Sequence, residues 1–381
     1  MPLAKVLSKD EKFTKLQELG YLLDINKLDS YLSSVKDNKS AKPNPSFWAD
    51  KRVLITGISG FVGSHLTELL LAHNAKVWGV VRKHADPRYP NIEHLRKKIN
   101  LLHCDLTEQA GIEEIIRNVD PHVIYHLAAE SFVPMSLAEP KRVYFNNVEC
   151  TWNVFIAARK YCNSLEAIHV ACTSEQYGYV KSFDELPIKE ENPLRPLTPY
   201  ALSKVDTEKI AKLYYDVYDV PSVITRAFNH EGSRRGHKFF TSVIARTIVR
   251  CLLKNEKRVI IGNPNSIRDF THVRDMVNAY MLAVEKIDRG EPYNICSEVS
   301  IRTGDYAQLA VNNFGVRAEI YIDTDRLRPY ERGKAFLDGF VANCSKFKKK
   351  TGWAPTFSIL DIMKDGVEFY KQQPELLELE I

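Results

Sequence analysis

The chain has 381 residues, 44% hydrophobic and 27% charged, long enough to bury a full core, and its formal charge of +5 arises from 53 basic and 48 acidic side chains. That mixture suits a bound anion better than a nucleic-acid face, and no apolar run approaches the ~20 residues of a membrane span. The seven cysteines include no CxxC pair, His and Cys never cluster at metal-ligand spacing and the charged start lacks a signal-peptide core, so the expectation is a cytoplasmic protein with reduced thiols, no metal and no nucleic-acid or membrane partner.

In chain order, residues 1–50 stand apart. Leu16, Leu19, Leu22 and Leu23 recur at helical spacing, whereas 34–46 (SVKDNKSAKPNPS) is polar and broken by proline, which predicts a helical N-terminal extension followed by a linker. From residue 51 apolar runs alternate with amphipathic segments: RVLITG then HLTELLLAHN, KVWGVVR then IEHLRKKI, NLLHCDL then IEEIIRNV, HVIYHLAA then a long segment to Cys162, and EAIHVACTS. Strands separated by helices of this length require right-handed crossovers, hence a parallel sheet covered on both faces. The expected fold is therefore α/β, a doubly wound parallel (Rossmann) sheet over 51–228. Beyond 229 the pattern is less regular, with helix-like FTSVIARTIVRCLLKN and VRDMVNAYMLAVEKI around strand-like KRVIIGN. Residues 229–381 thus predict a smaller C-terminal α/β substrate-binding lobe, with some segments returning to the first unit.

TGISGFVG places Gly57, Gly60 and Gly63 between a predicted strand and a helix beginning near Val62, with Phe61 and Val62 among the expected cofactor contacts. Glycines there let backbone approach a pyrophosphate, and the free N–H groups of the helix start bind the anion. The next strand ends in Arg82 and Lys83, where an NAD site carries an acidic residue for the ribose, so cations at that point favour NADP over NAD. Asp105, followed by Leu106, is placed either to accept from an adenine amino group or to form a turn. In PYALSK, Tyr200 and Lys204 lie four apart on one helix face, where an ammonium lowers the pKa of a phenol and lets it take a proton from a hydroxyl. Thr173 and Glu175, in CTSEQYG, emerge where a buried strand meets solvent.

Together TGISGFVG, HLAAESFV, CTSEQYG, PYALSK and RAFNHEG resemble the extended short-chain dehydrogenase/reductase superfamily, and within it the GDP-mannose 4,6-dehydratase family, across roughly residues 51–370. FNHEGSRRG at 228–236, GNPNSIRDF at 262–270 and RPYE at 328–331 strengthen the likeness. The resemblance implies a catalytic set of Thr173, Glu175, Tyr200 and Lys204, with Tyr200 and Lys204 also touching the cofactor, and it adds Leu127, Ala128 and Ala129 to the cofactor contacts. For a nucleotide-diphosphate sugar it implies Ser131, Glu175, Asn229, Arg235, Arg268, Arg328 and Glu331, with Arg234 a further cationic candidate. It also implies an NADP-dependent dehydratase that assembles as a homodimer or homotetramer, two long helices at about 140–162 and 198–219 pairing with a second copy and the loop 82–90 reaching a neighbour. Val243 stands where the family carries a lysine that helps hold the guanine nucleotide, and Gly232 and Ser233 replace the family's Ser-Pro. A UDP-glucuronate decarboxylase or an epimerase of the same superfamily, and a non-catalytic NADP-binding regulator, are the alternatives left open.

Overall fold

The computed structural model of the chain describes residues 9–82, 89–331 and 339–379. In order these form α1 (Lys9–Glu18), α2 (Leu28–Asp37), α3 (Pro45–Trp48), β1 (Arg52–Thr56), α4 (Phe61–Ala72), β2 (Lys76–Val81), β3 (Asn100–His103), α5 (Gln109–Val119), β4 (Val123–His126), α6 (Val133–Ala138), α7 (Pro140–Tyr161), β5 (Ala167–Thr173), α8 (Pro199–Tyr218) and β6 (Ser222–Ala227). The second half continues with β7 (Asn229–Glu231), α9 (Phe240–Lys254), β8 (Arg258–Ile261), β9 (Ile267–His272), α10 (Val273–Lys286), β10 (Pro292–Ile295), β11 (Ser300–Arg302), α11 (Thr303–Asn313), β12 (Glu319–Ile322), α12 (Ser345–Thr351) and α13 (Ile359–Gln372).

Seven strands make one parallel sheet in the order β10-β6-β5-β4-β1-β2-β3. The two-residue period of a strand sends alternate side chains to opposite faces. Leu54, Ile124, Ile168 and Ile224 therefore pack under α5, α7 and α8, while Val53, Ile55, Val123 and Tyr125 pack against residues of α4 and α10. The chain runs outward through β2 and β3 and then returns past β1 to β4, so a cleft opens at the carboxyl ends of β1 and β4, where such sheets bind ligands. β10 comes from the second half of the chain yet completes this sheet beside β6.

The lobe is built on a three-stranded sheet, β11-β9-β7, and a parallel pair, β8 with β12. Ile244, Ile248, Val259, Phe270, Ile301, Tyr306, Met363 and Val367 form its core.

Three segments differ from their sequence reading. IEHLRKKI is not an amphipathic helix: a 3-10 helix over Pro90–Leu95 buries Ile92 and Leu95, and the chain then turns so that Ile99, also buried, leads into β3. Residues 34–46 are not a free linker. Asn38 Nδ2 donates to the Pro355 carbonyl at 2.8 Å, the Ala41 N–H donates to the Gly352 carbonyl at 2.9 Å, and Trp48 is fully buried, stacked 6.3 Å from Tyr125. The leucine spacing does not mark one helix: α1 ends at Glu18, so of the four only Leu16 lies on it, while Leu19 is 48% exposed and Leu22 and Leu23 follow in extended chain, Leu22 buried and the Leu23 N–H donating to the Ser300 carbonyl of β11.

Candidate active site

A cavity of about 970 Å³ lies at the carboxyl ends of β1, β4, β5 and β6 and reaches into the lobe. On its Rossmann side the turn after β1 is closed by backbone alone. Gly57 has φ +74°, and a Cβ there would stand 2.9 Å from the Ala128 nitrogen. At Gly63 a Cβ would stand 2.4 Å from the Gly57 carbonyl oxygen and 2.8 Å from Ile58 Cα. Side chains are excluded by neighbouring main chain, which leaves the N-terminus of α4, with its unpaired N–H groups, at the cavity wall. This cradle fits a dinucleotide. His126 supports it from below, its Nδ1 2.9 Å from Thr56 Oγ1, which in turn accepts the Ala128 N–H at 3.2 Å. Burial, and then Lys204, push His126 down to about 3, so it is a neutral structural partner.

Thr173, Glu175, Tyr200 and Lys204 all line the cavity. β5 ends at Thr173 because the chain turns there: the Thr173 hydroxyl accepts the Glu175 N–H, and the Gln176 side chain accepts the Thr173 N–H at 3.0 Å. Pro199 at the first position of α8 and a Thr198 cap fix the helix start that carries Tyr200. Lys204 Nζ donates to the Ala171 carbonyl at 2.8 Å, and burial lowers its pKa. The sequence expectation for Tyr200 needs correction here: burial pushes the phenol up to about 12, with Glu175 adding to that, while the Thr173 hydroxyl and Arg235 pull it back. In the protein alone, burial outweighs the depression expected from Lys204.

Glu175 Oε1 lies 3.5 Å from Arg328 Nη1. Burial works against the Arg328 cation, but Glu175 and then Tyr330 outweigh it and hold its pKa above that of an ordinary arginine. Glu331 accepts the Arg328 N–H at 2.7 Å and an Asn263 Nδ2 donor at 3.3 Å, so it shapes the 328–331 turn without lining the cavity. Ser131, Asn229 and Arg235 line it, and the Asn229 Oδ1 is buried without a protein partner. The Arg235 guanidinium sits 3.6 Å from the Phe239 ring centre and 5.2 Å from that of Phe61.

Other candidates are placed elsewhere. Arg234, at φ +68°, turns away to pair both carboxylate oxygens of Glu68 on α4 at 2.9 Å each. It ties the lobe to the cofactor helix. Arg268 is outside the cavity lining, buried with its guanidinium 5.0 Å from the Phe340 ring centre and Nη1 donating to the Ile267 carbonyl. Of the cofactor set, Gly57, Gly60, Phe61, Val62, Gly63, Leu127 and Ala129 line the cavity, and Ala128 backs Gly57. Asp105 takes the turn-forming alternative, its Oδ1 accepting the N–H and hydroxyl of Thr107, and neither it nor Leu106 reaches the cavity lining. Arg82 stands at the end of β2 and donates to Asn146 Oδ1, while Lys83 and most of the loop 82–90 lie outside the described residues. Lys238, Asp325 and Arg326 line the cavity although no motif singled them out. Lys238 follows RRG, and Asp325 and Arg326 precede RPYE, so proximity to those motifs was the available signal.

The strand order, the glycine cradle and the convergence of Thr173, Tyr200 and Lys204 define a nicotinamide-dinucleotide-binding short-chain dehydrogenase/reductase of the extended kind. A sequence model of the family described as GDP-mannose 4,6 dehydratase matches residues 54–366, and the chain belongs to that family. It is 27% identical over 372 residues to GDP-mannose 4,6 dehydratase 2 of Caenorhabditis elegans, covering 89% of this chain and 94% of that one. Among solved structures it is similar to RMD from Pseudomonas aeruginosa complexed with NADPH, with a TM-score of 0.71, 24% identity, and coverage of 85% of this chain and 99% of that chain. It is also similar to dTDP-glucose 4,6-dehydratase from Bacillus anthracis in complex with NAD, with a TM-score of 0.72, 22% identity, and coverage of 86% and 98%. At these identities the two structures establish the fold.

Proposed function

We propose that the chain is an NADP-dependent nucleotide-sugar 4,6-dehydratase that converts GDP-mannose, or a related GDP-sugar, to its 4-keto-6-deoxy form. The observation that carries this reading is a carboxylate, Glu175, on the same cavity wall as Thr173, Tyr200 and Lys204. The glycine cradle and the start of α4 would hold the pyrophosphate of the dinucleotide, whose nicotinamide would supply a hydride acceptor for carbon 4 and a hydride donor for carbon 6. Tyr200 removes the proton of the carbon 4 hydroxyl, and Thr173 donates a hydrogen bond to the oxygen there. Once carbon 4 is a ketone, the carbon 5 hydrogen is acidic, and Glu175 takes it. The same carboxyl protonates the departing carbon 6 hydroxyl, so one water leaves; hydride return to carbon 6, with the proton Tyr200 had taken delivered to carbon 5, then closes the balance of protons and electrons. An epimerase acting at carbon 4 alone has no use for that carboxylate.

Arg328, Arg235 and Asn229, with Lys238 and Arg326 on the same wall, supply donors for a diphosphate, and Ser131 faces the sugar from the β4 side. Arg268 and Glu331 belong to this proposal as supports set back from the wall. The NADP preference rests on Arg82 at the end of β2. A homodimer is supported by α7 and α8, which pack together and expose Phe145 and Trp152 on one and Leu202, Leu213, Val217 and Tyr218 on the other. Among the described residues no helix is long and apolar enough to cross a membrane, and a cytoplasmic location is part of the proposal.

Incubation with GDP-mannose and NADP+ followed by mass analysis tests the reading, with loss of one water expected. Loss of carbon dioxide from UDP-glucuronate with GDP-mannose unchanged would make the protein a decarboxylase, inversion at carbon 4 without mass change an epimerase, and no turnover of any sugar a dinucleotide-binding regulator.

A further inference from the structure

Away from the cavity, the fold gathers Cys296, Glu298 and Cys344. Cys296 follows β10, Glu298 comes two residues later, and Cys344 directly precedes α12, so sequence spacing conceals the group. The two thiol sulfurs and a Glu298 carboxylate oxygen all lie within 4.8 Å of one another. Both cysteines are fully buried, while the side chains of Glu298 and neighbouring Lys348 each keep 30% exposure. The group is thus closed on its sulfur side and open to water on its carboxylate side. Glu298 holds φ +63°, a conformation that costs a non-glycine residue about 1–2 kcal/mol. Its carboxylate turns back to accept the Cys344 N–H at 2.8 Å and Lys348 Nζ at 2.6 Å. Cys344 Sγ donates to the Cys296 carbonyl at 3.2 Å.

From this geometry we propose that Cys296, Cys344 and Glu298 bind a zinc ion, with a water entering from the open side as fourth ligand. Two sulfurs and one carboxylate oxygen are a donor set suited to tetrahedral zinc. With Zn–S bonds of about 2.3 Å, such sulfurs lie roughly 4 Å apart, so the three groups need little movement to close on an ion. Charge also balances. Two thiolates and a carboxylate carry three negative charges, which a divalent ion and the Lys348 ammonium cancel, and two thiol protons leave to solvent on binding. The bound ion fastens the end of β10 to the start of α12. It also steadies Ser297, whose N–H and hydroxyl donate to Asp269 Oδ1 at 2.8 and 2.9 Å, next to Arg268.

Full-length protein is loaded with zinc, dialysed and assayed for metal, and titrated separately with cobalt(II). The expected result is about one zinc per chain, a sulfur-to-cobalt charge-transfer band with the visible bands of a tetrahedral ion, and a higher melting temperature with zinc. Cys344→Ser removes the charge-transfer intensity from one sulfur and lowers zinc affinity 10–100-fold or more. Glu298→Gln, at the exposed edge, keeps both thiols and the fold and weakens zinc by at least about 10-fold. Zinc content equal in wild type and Cys344→Ser, a cobalt spectrum without charge transfer, or a denatured-state thiol count two short of seven would each overturn the proposal, the last by showing a disulfide instead.

Discussion

Replacing Glu175 with Gln separates the two halves of the proposed reaction. General acid–base catalysis typically contributes 10²–10⁴-fold, so dehydration is expected to slow by about that factor, while oxidation at carbon 4, which uses Tyr200, persists. A 4-keto hexose that keeps its carbon 6 hydroxyl should then accumulate together with reduced cofactor. The variant should also fold. At 3.5 Å and an effective dielectric near 20, the Glu175–Arg328 attraction is roughly 5 kcal/mol before desolvation of the two ions offsets most of it. Glutamine keeps an acceptor oxygen for Arg328, so the net cost is about 1–2 kcal/mol, a fall of a few degrees in melting temperature. Rapid-mixing absorbance of the reduced nicotinamide and mass analysis of quenched samples read the two steps separately. Tyr200→Phe, by contrast, should abolish both. Dehydration by Glu175→Gln within a few-fold of wild type would refute the assignment of Glu175 as the base.

Gly63→Ala places a Cβ against the Gly57 carbonyl and Ile58 Cα, main chain that no rotamer change relieves, so dinucleotide affinity should fall roughly 10–100-fold by fluorescence titration. Gly20→Ala, at φ +72° with open space around it, should leave affinity unchanged and cost about 1 kcal/mol of stability, and equal affinities for the two variants would disprove the cradle. Arg82→Glu should reduce the preference for NADP+ over NAD+, read as a ratio of kcat/KM, by at least about 10-fold; an unchanged ratio rules Arg82 out. Burial, with Lys204 and His126 adding, holds His169 down to about 3 against an ordinary 6.5, so between those values unfolding takes up a proton and stability falls as pH drops, by about 1.4 kcal/mol per pH unit. His169→Phe should flatten the stability profile from urea denaturation by that slope between about pH 6 and pH 4, and an identical slope would show that His169 does not carry it. Val217→Lys with Phe145→Lys puts charge on the exposed α7–α8 face and should give monomers by light scattering if that face pairs two copies.

What the sequence exposed was set by local physics. The parallel sheet follows from apolar runs between amphipathic helices, the cradle from glycines whose side chains would strike main chain, and the Tyr200–Lys204 pair from helical spacing. What it hid depends on contacts between distant segments. Residues 34–46 read as a linker because the groups that pin them, Gly352, Pro355 and Glu285, lie far along the chain. Arg234 and Arg235 are indistinguishable as neighbours in a motif. The left-handed backbone at Arg234 sends one guanidinium to Glu68 and leaves the other in the cavity. Arg268 looked like a wall residue by its motif and is buried against Phe340 instead.

The carboxylate at the end of β5 is held there by more than its own turn. Gln176, fully buried, caps Thr173 through its oxygen and donates through its nitrogen to Glu208 at 2.9 Å. Glu208 pairs with Arg226, whose Nη1 donates to the Tyr177 hydroxyl at 2.8 Å, and that hydroxyl donates to Asn294 Oδ1 at 2.7 Å. The turn is thereby fixed to α8, β6 and β10 at once. α8 is also the helix that carries Tyr200 and Lys204, so through Gln176 and Glu208 the turn bearing Glu175 is tied to the same helix. Under the proposed mechanism, a carboxylate that reaches carbon 5 while a phenol reaches carbon 4 needs the two held in a fixed relation, since misplacement by about 1 Å costs on the order of 10²-fold in rate. Linking the acidic turn to the tyrosine helix through a buried amide and an ion pair achieves this without placing any further charge in the cavity.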